Sequence, residues 1–185
     1  AGEKLSKSRT FTAYLGGATM KLATMDDLLH HELKDLYSAE KQLIKALPKM
    51  AKAASSQSLA ELVRAHLEET HEHVQRLERI FEQLGKSTRG AHCKAMEGLI
   101  EEAGELLEED GDPAVKDAAM IAAAQRVEHY EIAGYGSART FAQQLGYDEA
   151  ADLLQQTLDE EHAADDKLNN LALSSVNEEA QAAAE

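Results

Sequence analysis

Six acidic side chains fall where helical apolar stripes would carry leucine: Glu40, Glu69, Glu128, Glu131, Glu161 and Asp165. Glu40 has Leu36, Tyr37, Leu43 and Ile44 three and four residues away. Glu131 sits between Val127 and Tyr135, with Glu128 one turn before it. Glu161 and Asp165 share a face with Leu154, Leu158 and Leu168, and Glu69 lies about one turn from His66 and two from Leu62. Burying an unpaired carboxylate costs several kcal/mol, comparable to the whole net stability of a small domain. Too few Lys or Arg share these faces to compensate. Metal ions are the economical source of the missing positive charge.

Carboxylates are hard ligands suited to Fe(II), Fe(III) and Mn(II), and imidazole adds a borderline nitrogen donor. A di-metal site inside a helical bundle takes one acid from each of two helices and acid-plus-His pairs from the other two. Spacings of three or four residues put both members of a pair on one helix face. The first helix then supplies Glu40, the third Glu128 and Glu131, and the fourth Glu161 and Asp165. On the second helix the literal Glu-x-x-His pair is Glu68 with His71, but Glu68 has Arg64, Ala65 and Glu72 one turn away and faces outward. Glu69 and His73 lie on the flank that holds Leu62, His66 and Leu77, and are the expected ligands there, with His66 as a substitute or outer partner. Tyr37, Tyr130 and Tyr135 lie within a turn of these residues, where they could hydrogen-bond ligand carboxylates, carry an electron or simply fill space. No residue can be assigned a catalytic role from the sequence.

Four long helices must position this set. The first runs from the cap Thr24 to about Ala54, with Pro48 kinking its last turns. Ser58 and Glu61 form a capping box for the second, which stops at Gly85. Residues 85–112 read as a crossover carrying a short helix from Cys93 to Glu108. Asp112-Pro113 opens the third helix, which Gly146 ends, and the fourth spans about Asp148 to Leu173. Two short connections and one long crossover describe a ferritin-like four-helix bundle over residues 20–175. Residues 1–19 read as a flexible extension, and residues 176–185 as a frayed tail. Gly134 and Gly136 cost helix propensity in mid-helix, which predicts close packing or a local bulge beside the acids.

The composition narrows the function classes. A hydrophobic share of 43%, two prolines and a helix-forming vocabulary indicate an all-α globular protein. The net charge of −15 argues against a nucleic-acid partner. No window approaches the roughly 18 apolar residues of a membrane span, and no secretion signal is recognisable, so the expected compartment is the cytoplasm. The single cysteine, Cys93, makes neither an internal disulfide nor a cysteine-based metal site.

The stretches "DLYSAEKQL", "AHLEETHEHVQRLE", "CKAMEGLIEEA", "DAAMIAAAQRVEHYEIAGYG" and "LGYDEAADLLQQTLDEE" resemble the bacterial stress-induced YciE/YciF group of ferritin-like proteins over about residues 20–175. "VEHYEIAGYG" is the most specific of them. The resemblance implies a rubrerythrin-like bundle with a di-iron site and a homodimer, and leaves the activity undefined. One departure is Asp165, where rubrerythrins carry a His after the Glu. Three functions are compatible with this reading. The first is a di-iron (or di-manganese) centre reacting with peroxide or oxygen. The second is a ferroxidase with iron storage, and the third a non-enzymatic stress protein acting through its surface.

Overall fold

The computed structural model describes residues 22–183, so the expected extension over residues 1–19 lies outside it. The described residues form α1 (Met25–Ala53), α2 (Gln57–Gln83), α3 (Lys94–Glu108), α4 (Pro113–Gln144), α5 (Asp148–Leu171), a π-helical turn (Ala172–Val176) and α6 (Asn177–Ala182). No strand occurs among them. The hairpins α1–α2 and α4–α5 pack side by side, α1 against α4 and α2 against α5, and α3 lies across α4 and α1. The fold class is the all-α bundle expected from the helix count and the long crossover.

Local signals set the helix boundaries. The Thr24 hydroxyl accepts from the Asp27 amide at 3.1 Å while the Asp27 carboxylate accepts from the Thr24 amide at 3.0 Å, closing a reciprocal cap on α1. Gly85 and Gly146, at φ of 61° and 76°, reverse the chain after α2 and α4 in a conformation that costs glycine least. Asp112 caps α4 with Pro113 in its first turn. α1 continues through Pro48.

Two boundaries differ from the sequence reading. The cap of α2 is Ser56, not Ser58, which lies exposed within the first turn. The reason is tertiary: buried Asp117 of α4 accepts from the Ser55 amide (3.0 Å), the Ser55 hydroxyl (2.6 Å) and the Ser56 amide (2.6 Å), pinning the turn two residues earlier. At the other end, Asn177–Ala182 is helical rather than frayed, because Ala172 and Val176 bury in the wide turn and set α6 against α4.

The core comes in two apolar blocks. One gathers Leu29, Leu33 and Leu36 with Leu77, Phe81, Tyr135 and Leu154; the other gathers Leu43, Leu47, Leu59, Met96, Ile121 and Leu168. Along every long helix the acids and histidines of the site fall between the two blocks. Gly134 supports the close approach of α4 to α1, since a Cβ there would lie 2.8 Å from Leu36 Cδ2, whereas Gly136 has open space around it.

Candidate metal centre

Six side chains from the four long helices meet in the layer between the blocks. α1 contributes Glu40, α2 contributes His66 and His73, α4 contributes Glu128 and Glu131, and α5 contributes Glu161; none is more than 4% exposed. They form two overlapping donor sets, Glu40–His73–Glu161 and His66–Glu128–Glu131–Glu161, each with its ligand atoms within 4.8 Å of one another. Glu161 belongs to both and could serve a metal ion in either set. His73 Nδ1 lies 3.4 Å from Glu40 Oε1 and 3.1 Å from Glu161 Oε1, and His66 Nε2 lies 3.5 Å from Glu128 Oε1.

The hydrogen-bond inventory tests whether a metal fits. Glu40, Glu128, Glu131 and Glu161 each bury at least one oxygen without a hydrogen-bond partner, and both oxygens are unpartnered on Glu131 and Glu161; both nitrogens of His66 and Nδ1 of His73 are also unpartnered. Native proteins rarely leave such groups unmet. Asp117 is the internal control, equally buried at 2% exposure yet fully hydrogen-bonded by the turn it holds. The orphaned atoms of this layer are hard oxygens and imidazole nitrogens, the one other such atom among the described residues being Arg139 Nε outside it, and two divalent cations would neutralise the four carboxylates with both imidazoles uncharged. The residues fit a pair of metal ions.

Without such ions the electrostatics are adverse. Burial, then repulsion from Glu40, Glu161 and Glu128, pushes Glu131 well above the ordinary carboxylate range. Burial likewise raises Glu40, and raises Glu128 to about 8. For His66 burial opposes the charge, but Glu128 and Glu69 outweigh it and bring the ring to about 9. For His73 the adjoining Glu160, Glu161 and Glu40 overcome burial in the same sense.

Of the seven residues expected as ligands, the structure brings together Glu40, His73, Glu128, Glu131 and Glu161 and sets two apart. Glu69 sits half-buried at the rim, 3.5 Å from His66 Nδ1 and 3.2 Å from Lys167 Nζ. Asp165 is partly exposed and accepts from Gln125 at 3.1 Å, because the buried row of α5 runs through Leu158, Glu161, Ala164 and Leu168. His66 takes the interior place on α2. Glu68 and His71 face solvent. The Glu-x-x-His pattern is itself replaced: Thr70 stands three residues before His73, donating to the His66 carbonyl at 2.8 Å, and Ala164 stands three residues after Glu161. Glu128 and His66 restore a total of four acids and two imidazoles.

Outer contacts hold several of these donors. Tyr135, buried beside the site, donates a short hydrogen bond to Glu40 Oε1. His73 Nε2 is 2.9 Å from Glu160 Oε2, and Arg76 grips both Glu160 oxygens at 2.5 and 2.8 Å. Burial raises Glu160, but His73 and Arg76 prevail and bring it to about 2. Glu160 and Arg76 carry no sequence signal as site residues, being polar residues beside the stripe. The other tyrosines point elsewhere: Tyr37 donates to Glu78 at 2.8 Å, and Tyr130 joins Asp35 and Cys93 beneath α3. An apolar groove of about 610 Å³ between α1, α3 and α4, lined by Leu47, Met50, Leu107 and Met120, runs to Glu128.

The comparisons with known proteins agree with this architecture. A family described as "Domain of unknown function (DUF892)" matches residues 24–181. Protein YciF of Escherichia coli K12 is 50% identical over 163 residues, spanning 88% of this chain and 98% of that protein. The crystal structure of the E. coli stress protein YciF superposes with a TM-score of 0.82 at 51% identity, covering 84% of this chain and 99% of that one. A Rhodopseudomonas palustris protein named YcfI superposes at 0.78 with 46% identity, covering 82% and 96%. The chain belongs to the DUF892 family, in the YciE/YciF group of helical-bundle proteins.

Proposed function

We propose that the protein is a di-metal carboxylate protein of the stress response, holding two iron ions (manganese being the chemically adjacent choice) and reacting with peroxide or oxygen. The observation that carries this reading is the set of four buried carboxylates and two imidazoles with unpartnered ligand atoms. A pair of redox-active metal ions held by these residues would supply the electrons for reaction with a small oxidant. Glu161 spans the two donor sets, Tyr135 orients Glu40, and Glu160 fixes the ring of His73 so that Nδ1 faces the interior. The apolar blocks on either side exclude water from the layer. The stress role rests on the likeness to E. coli YciF. A homodimer in the cytoplasm belongs to the same proposal; a particle of twice 20.2 kDa in solution checks the assembly, and a many-subunit shell would favour storage instead.

Metal content decides the matter. Purified under iron-replete conditions, the protein is expected to hold about two ions per chain, and Glu131→Ala to lose most of them while remaining helical. A wild type with no stoichiometric Fe or Mn, or a metal content indifferent to Glu131→Ala, would overturn the proposal.

A further inference from the structure

The two donor sets are built to different standards. In the set of Glu40, His73 and Glu161 every residue is at most 1% exposed. Its imidazole is fixed from behind by Glu160, which Arg76 clamps with two bonds while also reaching the buried Thr157 hydroxyl at 3.2 Å. A ring locked by an outer carboxylate presents its other nitrogen without losing rotational freedom on binding. In the set of His66, Glu128 and Glu131 the corresponding lock is loose. The carboxylate behind His66 is Glu69, 3.5 Å from Nδ1 without forming a hydrogen bond, and the cation behind Glu69 is one 51%-exposed lysine, Lys167. Glu69 at 31% exposure and Glu160 at 35% are similarly open to solvent, so the two differ in how they are held: Glu160 is bonded to its imidazole and clamped by Arg76, whereas Glu69 makes no bond to its imidazole and has one exposed lysine behind it. Glu128 also borders the open groove between α1, α3 and α4.

We infer that the two metal positions are unequal: the ion at Glu40–His73–Glu161 is retained, and the ion at His66–Glu128–Glu131 exchanges with solvent by way of Glu69. The inference rests on the di-metal reading. Glu160 and Glu69 are then positioning residues of opposite character. Glu160, neutralised by Arg76, acts only through His73. Glu69, with its labile lysine partner, offers an incoming hydrated cation a first carboxylate from which it can shed water before reaching the buried acids.

The test is timed dialysis of the Mn(II)-loaded full chain against EDTA, counting metal per chain and following the Mn(II) paramagnetic resonance signal. Wild type should lose one ion quickly and one slowly, the half-depleted protein showing the signal of an isolated Mn(II). His66→Ala should hold one ion and lack the fast phase. Glu160→Gln should accelerate the slow phase by about 10- to 100-fold and leave the fast one in place, with Glu160→Asp recovering part of the retention. Glu69→Gln should change the fast phase alone. Loss of both ions in a single phase, or equal effects of Glu160→Gln and Glu69→Gln on both phases, would overturn the inequality while leaving the di-metal reading standing. A wild type that takes up no Mn(II) or Fe(II) would overturn both.

Discussion

At the scale of the residue, the interior acids make stability and pH move in opposite directions with and without metal. Glu128 rises from 4.5 to about 8 in the folded metal-free protein and His66 from 6.5 to about 9. A group that binds its proton more tightly when folded stabilises the fold fully below its unfolded pKa and loses that contribution as pH climbs through the folded one. The chelated protein is therefore expected to melt at progressively lower temperature from about pH 5 to about pH 9. Ligands must be deprotonated to bind metal, so the melting temperature gained on adding Mn(II) should grow over the same range. Thermal unfolding at several pH values, with EDTA and with metal, measures both trends, and a chelated protein that grows more stable with alkalinity would contradict the assignment. The acids were legible because apolar neighbours at three and four residues leave Glu40, Glu128, Glu131 and Glu161 no outward face. Glu69 and Asp165 lie outside the buried donor sets for a geometric reason. Each lies one residue away from the buried row of its helix, 66–70–73 on α2 and 161–164–168 on α5, and a broad stripe does not resolve one position.

At the scale of the element, the mid-helix glycines of α4 separate packing from propensity. Gly134→Ala would drive a methyl against buried Leu36, and overpacking of this kind costs about 1–3 kcal/mol, against a helix-propensity gain of up to about 1 kcal/mol. Gly136→Ala meets open space and keeps the propensity gain alone. The first variant should therefore unfold at lower denaturant than wild type and the second at higher; the reverse order would show that the Leu36 side chain yields to the added methyl at little cost. Helix ends written in nearby residues, such as Thr24 with Asp27 or Asp112 with Pro113, were readable from the chain. The start of α2 was not, because Asp117 lies some 60 residues away and dictates the turn from another helix. The helix α6 was hidden for a similar reason: its polar sequence becomes ordered through the buried Ala172 and Val176 that precede it.

At the scale of the whole molecule, the site is also a seam. The two apolar blocks of the core meet through the acid and imidazole layer, so side-chain packing alone does not join them into one continuous hydrophobic interior. Cooperativity in a folded chain reflects how strongly one region's opening disrupts its neighbours. With metal removed, the layer is a band of buried acids and imidazoles with many ligand atoms left unpartnered, and the half holding Leu29, Phe81 and Leu154 is then expected to open while the half holding Leu43, Leu59 and Leu168 stays closed. Amide hydrogen exchange on the chelated protein should then resolve two blocks of different protection along every long helix, with the boundary near Glu40, Thr70, Glu131 and Glu161. Metal should merge them into one block with a single global opening. The ions in this bundle would thus act as the rivets of its folding unit, turning two weakly linked half-cores into one that opens all at once.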